Sequence, residues 1–70
     1  MKYIYKLMLG KESGDIEIGY YSSRNKAFET AEHMIERSGQ RVLVTRKRDE
    51  ISDIIGNEGA FYVVKRIWVQ

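Results

Sequence analysis

The chain reads as an α+β domain, a four-stranded, mainly antiparallel sheet with one helix packed on one face, in the order ββαββ. Three observations predict this. Apolar residues alternate with polar ones near the start of the chain, recur at helical spacing in its middle, and crowd together at its end. With 70 residues, the chain is expected to be a single domain over 1–70. A core of that size rarely supplies more than roughly 3–5 kcal/mol of net stability.

Tyr3, Tyr5, Leu7 and Leu9 alternate with Lys2, Ile4, Lys6 and Met8, a period of two that reads as a strand. Gly10 to Asp15 is a turn by composition. Ile16, Ile18 and Tyr20 then alternate with Glu17, Gly19 and Tyr21, and the short link implies an antiparallel hairpin. Ser22 and Ser23 can cap a helix, because a serine hydroxyl accepts a hydrogen bond from an unpaired N–H of the first turn. Ala27, Phe28, Ala31, Met34, Ile35 and Ser38 form one narrow stripe over a helix from about Arg24 to Ser38. Gly39 can end it in the left-handed conformation. Arg41 to Arg48 reads as a third strand and Ala60 to Val69 as a longer fourth one. Between them, Ile51, Ile54 and Ile55 read as one helical turn stopped by Gly56, or as part of a long hairpin loop over the sheet edge.

One amphipathic helix covers one side of a sheet, and nothing remains for the other. The last strand is bulky at both parities: Phe61, Val63, Ile67 and Val69 on one, Tyr62, Val64 and Trp68 on the other. The uncovered side is therefore expected to expose apolar and aromatic groups mixed with Lys2, Lys6 and either Lys65 or Arg66. Exposed apolar patches of appreciable size mark interaction sites. An ordinary solvated sheet, shielded by long Lys and Arg stems, is the plainer alternative.

Composition excludes several chemistries. The chain has no Cys, which removes disulfides, thiolate metal sites and thiol nucleophiles. With its single His, a structural zinc site would need three carboxylates. Lys6 interrupts the apolar stretch of Met1 to Gly10, and no small-residue cleavage site follows, so no signal peptide is read there. No apolar run reaches bilayer length, so no membrane partner is expected and the address reads as cytoplasmic. Ser23-Arg24-Asn25-Lys26 matches the S-x-x-K spacing of penicillin-binding enzymes, but the companion motifs are missing and a helix cap explains it. His33 falls away from the apolar stripe and reads as a surface residue, since a general base needs a partner and a pocket. Glu29, Glu32 and Glu36 form an acidic helix surface, a solvated face or a dock for a basic partner. No P-loop, dinucleotide fingerprint or EF-hand spacing is present, so no cofactor is expected and the chain reads as no enzyme.

The net charge is +2. Residues 40–70 carry six basic and four acidic side chains, and Arg46-Lys47-Arg48 runs directly into Asp49-Glu50. Interface hot spots favour arginine and aromatic groups, so Arg46, Lys47, Arg48, Tyr62, Arg66 and Trp68 are the expected partner-binding residues. Three partner classes follow. The leading one is a host protein, held on the uncovered sheet face or the charged Arg46–Glu50 tip. The second is nucleic acid, with the basic strands on phosphates and Tyr62 or Trp68 stacking. The third is a second copy, in a structural homodimer.

Ile18-Gly19-Tyr20-Tyr21-Ser22-Ser23-Arg24-Asn25-Lys26-Ala27 is a strand running straight into a serine-capped helix. That element resembles one found in small phage-borne accessory proteins, a format covering about a third of the chain with its helix. The resemblance implies a non-enzymatic inhibitor of a host protein, of the anti-CRISPR or host-takeover type. It assigns no residue a role.

Overall fold

A computed structural model describes residues 2–70. The elements are β1 (Lys2–Leu9), β2 (Ile16–Tyr21), α1 (Arg24–Arg37), β3 (Val42–Arg46), β4 (Ile51–Gly56) and β5 (Phe61–Val69). The sheet has five strands in the order β2-β1-β5-β4-β3, and every neighbouring pair is antiparallel. The α+β class holds. The strand count of four, the order ββαββ and the helical turn at Ile51–Ile55 do not, because Ile51–Gly56 pairs with both β3 and β5.

The helix forms where the spacing places it. The Ser23 hydroxyl accepts a hydrogen bond from the Lys26 N–H at 3.2 Å, so the first turn is capped. Its far end closes through the Gly39 N–H, which donates to the Glu36 carbonyl at 3.0 Å. Gly39 sits at φ 85°, a region where a Cβ clashes with the backbone and glycine does not. Ala27, Phe28, Ala31 and Ile35 are buried against Leu7, Ile54, Tyr62 and Val64 of the sheet. Ser38, placed on the stripe by spacing, is exposed.

Strand alternation then assigns the two sides of the sheet. Leu7 faces Val64, and Ile54 faces Tyr62, under the helix. Ser52, opposite Val64, is the one buried polar side chain among the described residues. Its hydroxyl accepts from the Arg48 N–H at 3.0 Å and donates to the Arg48 carbonyl at 3.1 Å, so both its capacities are used inside the β3–β4 connection. At the opposite end, the Gln40 amide oxygen accepts from the Glu58 and Ala60 N–H groups, each at 3.1 Å, and pins the β4–β5 turn. A Cβ on Gly56 would meet that oxygen at 2.5 Å and Ile35 at 3.2 Å, so any larger residue there displaces the Gln40 amide from the turn it holds.

The antiparallel register brings the helix N-terminus, the β3–β4 connection and the outer ends of β1 and β5 to one end of the molecule. There β1 and β5 outrun their neighbours. Pairing with β2 stops at Tyr5, and on the β4 side the last hydrogen bond runs from the Arg66 N–H to the Glu50 carbonyl at 2.7 Å, whereas β1 and β5 stay paired to Lys2 and Val69. A two-stranded ribbon therefore projects beyond the helix. No helix among the described residues is long and apolar enough to cross a membrane.

Candidate functional site

Two surfaces stand out, on opposite sides of the sheet. The first is the side without a helix. From β5 it shows Phe61, Val63, Ile67 and Val69, all partly exposed. Beside them lie Ile4 and Met8 of β1, and Ile51 and Ile55 of β4. Val44 of β3 and Tyr20 of β2 extend the band to both edges and are 40% and 51% exposed. The Phe61 ring lies over Gly10, where a Cβ would collide with it. The expected uncovered apolar face is thus present, with the charged companion Lys65 rather than Arg66.

Both ion pairs among the described residues lie on this face. Arg46 grips Asp53 with two hydrogen bonds, from Nε to Oδ1 at 2.8 Å and from Nη2 to Oδ2 at 3.0 Å. That carboxylate holds the guanidinium more firmly protonated than usual. Near the other edge, the Tyr20 hydroxyl donates to Glu17 at 2.8 Å, and the Lys6 ammonium lies 3.4 Å from the same carboxylate. The tyrosine hydrogen bond, aided by Lys6, pulls the Glu17 pKa below its ordinary value, and partial burial opposes it. Tyr20 is pushed up by that same bond to Glu17. The middle differs. Lys65 is the midpoint of β5, the central strand, and lies opposite Lys6. It is exposed and in neither ion pair. The face is an apolar band with ion pairs toward both edges, one free cation, Lys65, at its centre, and exposed Lys2 at the outer end of β1, also in neither ion pair.

The second surface is the projecting ribbon and the helix N-terminus beside it. Tyr3 and Trp68 are paired across β1 and β5, with ring centroids 4.7 Å apart at 64°. The Arg66 guanidinium lies 4.1 Å from the centroid of the Tyr3 ring. One turn of chain inward, Arg24 at the start of the helix sits 5.3 Å from the Tyr5 ring and donates to the Asp49 carbonyl at 2.9 Å. Lys47 lies 5.4 Å from the Phe28 ring. These cations contact rings and a backbone carbonyl, and none of them is in an ion pair among the described residues.

The six residues expected to bind a partner are therefore divided. Arg66 and Trp68 come together on the ribbon. Lys47 and Arg48 lie in the adjacent β3–β4 connection. Arg46 points to the opposite side and is tied to Asp53. Tyr62 is 7% exposed and sits in the core, so it offers no surface ring. Trp68 is bare for a reason other than the one expected. It shares the helix side, and it is 46% exposed because the ribbon runs past the helix. Sequence reasoning missed Tyr3, Arg24 and the central place of Lys65. The signal for Tyr3 was present: pairing the first strand against the last from their outer ends sets it opposite Trp68.

A shallow depression of about 460 Å³ lies between the helix and β3, lined by Phe28, Glu29, Glu32 and Lys47 among others. His33 and Glu36 are exposed on the same helix. Among the described residues, no three His, Cys, Asp or Glu side chains gather closely enough to hold a metal ion. The chain matches no family model, no curated protein and no solved structure.

Proposed function

We propose that the protein is a small non-enzymatic binding module whose partner protein covers the open face of the sheet. The observation that carries this reading is Lys65, a free cation at the centre of a contiguous apolar band. Large exposed apolar patches are rare on monomers and mark interaction sites. The central charge selects the occupant. A two-fold axis through the middle of the face would press Lys65 and Lys6 against their own copies, a like-charge contact that opposes association. A different protein, apolar and carrying a carboxylate opposite Lys65, satisfies both features. A module of this kind would act as an inhibitor, the role implied by the phage-borne resemblance, if the surface it covers is one its partner needs.

The test is affinity capture from the cell of origin with three baits: the native chain, Lys65→Glu and Arg24→Ala. Lys65→Glu places a like charge against the partner's carboxylate. It should lower recovery of the captured protein at least about tenfold, equivalent to about 1.4 kcal/mol. Arg24→Ala, on the other side of the sheet, should leave recovery unchanged. Equal capture by Lys65→Glu, or loss with Arg24→Ala alone, defeats the assignment to this face.

A further inference from the structure

The projecting ribbon has no part in that reading, and its chemistry differs from that of the open face. There Lys6 and Arg46 are paired with carboxylates, while Lys65 and Lys2 are in neither ion pair; here Arg66 and Arg24 lie against rings. We propose that the ribbon formed by Tyr3, Arg66 and Trp68, together with Arg24 at the helix start, is a binding site for single-stranded nucleic acid.

Three features support the assignment. First, Trp68 is half exposed, and Tyr3 meets it at a steep angle, which buttresses the indole rather than stacking over it. A base can stack on an indole whatever its identity, because every base has a π face. Second, Arg66 lies against the Tyr3 ring at 4.1 Å. The N–H fork of a guanidinium on a ring matches the oxygens of a phosphate, and Arg66 is in no ion pair among the described residues. Arg66 and Trp68 are two residues apart on one strand, so about 7 Å separates the phosphate contact from the stacking platform. Third, Arg24 adds positive charge beside the Tyr5 ring at the helix N-terminus, whose aligned N–H groups add to the field, while Lys47 lies farther along the helix, beside Glu29 and Glu32. Asp49 and Glu50 are the acidic side chains of the β3–β4 connection, and Glu50 is the cross-strand neighbour of Arg66, whose N–H donates to the Glu50 carbonyl at 2.7 Å. Arg24 bonds the backbone carbonyl of Asp49, not its carboxylate.

The chain has one tryptophan, which makes the measurement direct. A short oligothymidylate should quench Trp68 fluorescence. Two or three phosphate contacts should weaken binding about tenfold between about 50 and 200 mM salt, since counterion release on single strands scales with contact number. Arg66→Gln and Trp68→Ala, the latter followed by anisotropy of a labelled strand, should each weaken binding at least about fivefold. Lys65→Gln, on the other face, should change it less than twofold. Circular dichroism establishes that each variant is folded, and Arg66→Gln at the surface tests the site even if Trp68→Ala does not fold. Absence of quenching overturns the proposal. So does equal quenching by polyglutamate, which would make the ribbon a dock for acidic protein. Neither result touches the role assigned to Lys65.

Discussion

At the scale of single residues, the least expected arrangement is the one around Glu17. A bulge in β2 sets Gly19 opposite Leu7 and Glu17 opposite Met8, leaving Ile18 as the extra residue, packed against the core. Glu17 and Tyr20 thereby reach the same side of the sheet, where the phenol donates to the carboxylate. The sign of the pH effect follows. The folded pKa of Glu17 lies below its ordinary 4.5, so its contribution is full above that value and is lost as pH falls through the lower folded one. The Tyr20 pKa lies above its ordinary 10.0, so its share is full below that value and is lost as pH rises through the higher folded one. The pair thus supports the fold across the neutral range. Tyr20→Phe removes the largest cause of the Glu17 shift. A carboxyl NMR titration should then show the Glu17 midpoint moving upward, and an unmoved midpoint would assign the shift to Lys6 instead.

At the scale of elements, β4 teaches most. Ile51, Ile54 and Ile55 have helical spacing, yet they lie on a strand, with Ile51 and Ile55 on the open face and Ile54 on the helix side. The period of two is masked because the helix-side positions are Ser52, Ile54 and Gly56, and two of those are small or polar for specific reasons. Ser52 bonds Arg48, and Gly56 makes room for Gln40 and Ile35. Alanine substitution separates the two readings. Ile54→Ala should cost about 2–5 kcal/mol, since Ile54 is fully buried. Ile51→Ala, at 48% exposed, should cost no more than about 0.5 kcal/mol. Urea unfolding followed by circular dichroism reads both, and equal losses would be the signature of a shared helical face. The helix and β1 were legible because one face of each carries charge, the helix on its charged flank and β1 through Lys2 and Lys6, and β5 was legible from its run of bulky β-formers. The ribbon was legible only in part. Arg66 and Trp68 are residue types that announce an interface, but Tyr3 becomes their neighbour only through the β1–β5 register, and local patterning does not encode pairing between strands sixty residues apart.

At the scale of the whole molecule, the protein is a slab of 38 × 25 × 18 Å with two unlike sides. One is an apolar plain with a single charge at its middle; the other carries the helix and, past its end, the ring-and-cation ribbon. On the reading proposed above, Lys65 opposes association of the plain with itself, because a two-fold contact would bring like charges together. Lys65→Leu removes that guard. Sedimentation velocity across a concentration series should show the native chain as a monomer and the leucine variant as a dimer or larger. A variant that stays monomeric would mean that the apolar band is too small or too curved to associate once the charge is gone.

The sheet order has one more consequence. One of the two inner seams joins β1 to β5, Lys2 beside Val69 and Leu9 beside Tyr62. A chain leaving the ribosome therefore holds the β1–β2 hairpin with one flank unsatisfied until β5 emerges, and β2, the helix, β3 and β4 are all synthesised before that seam can be sewn. Contacts so distant along the chain slow folding, because loop closure must precede the gain they bring.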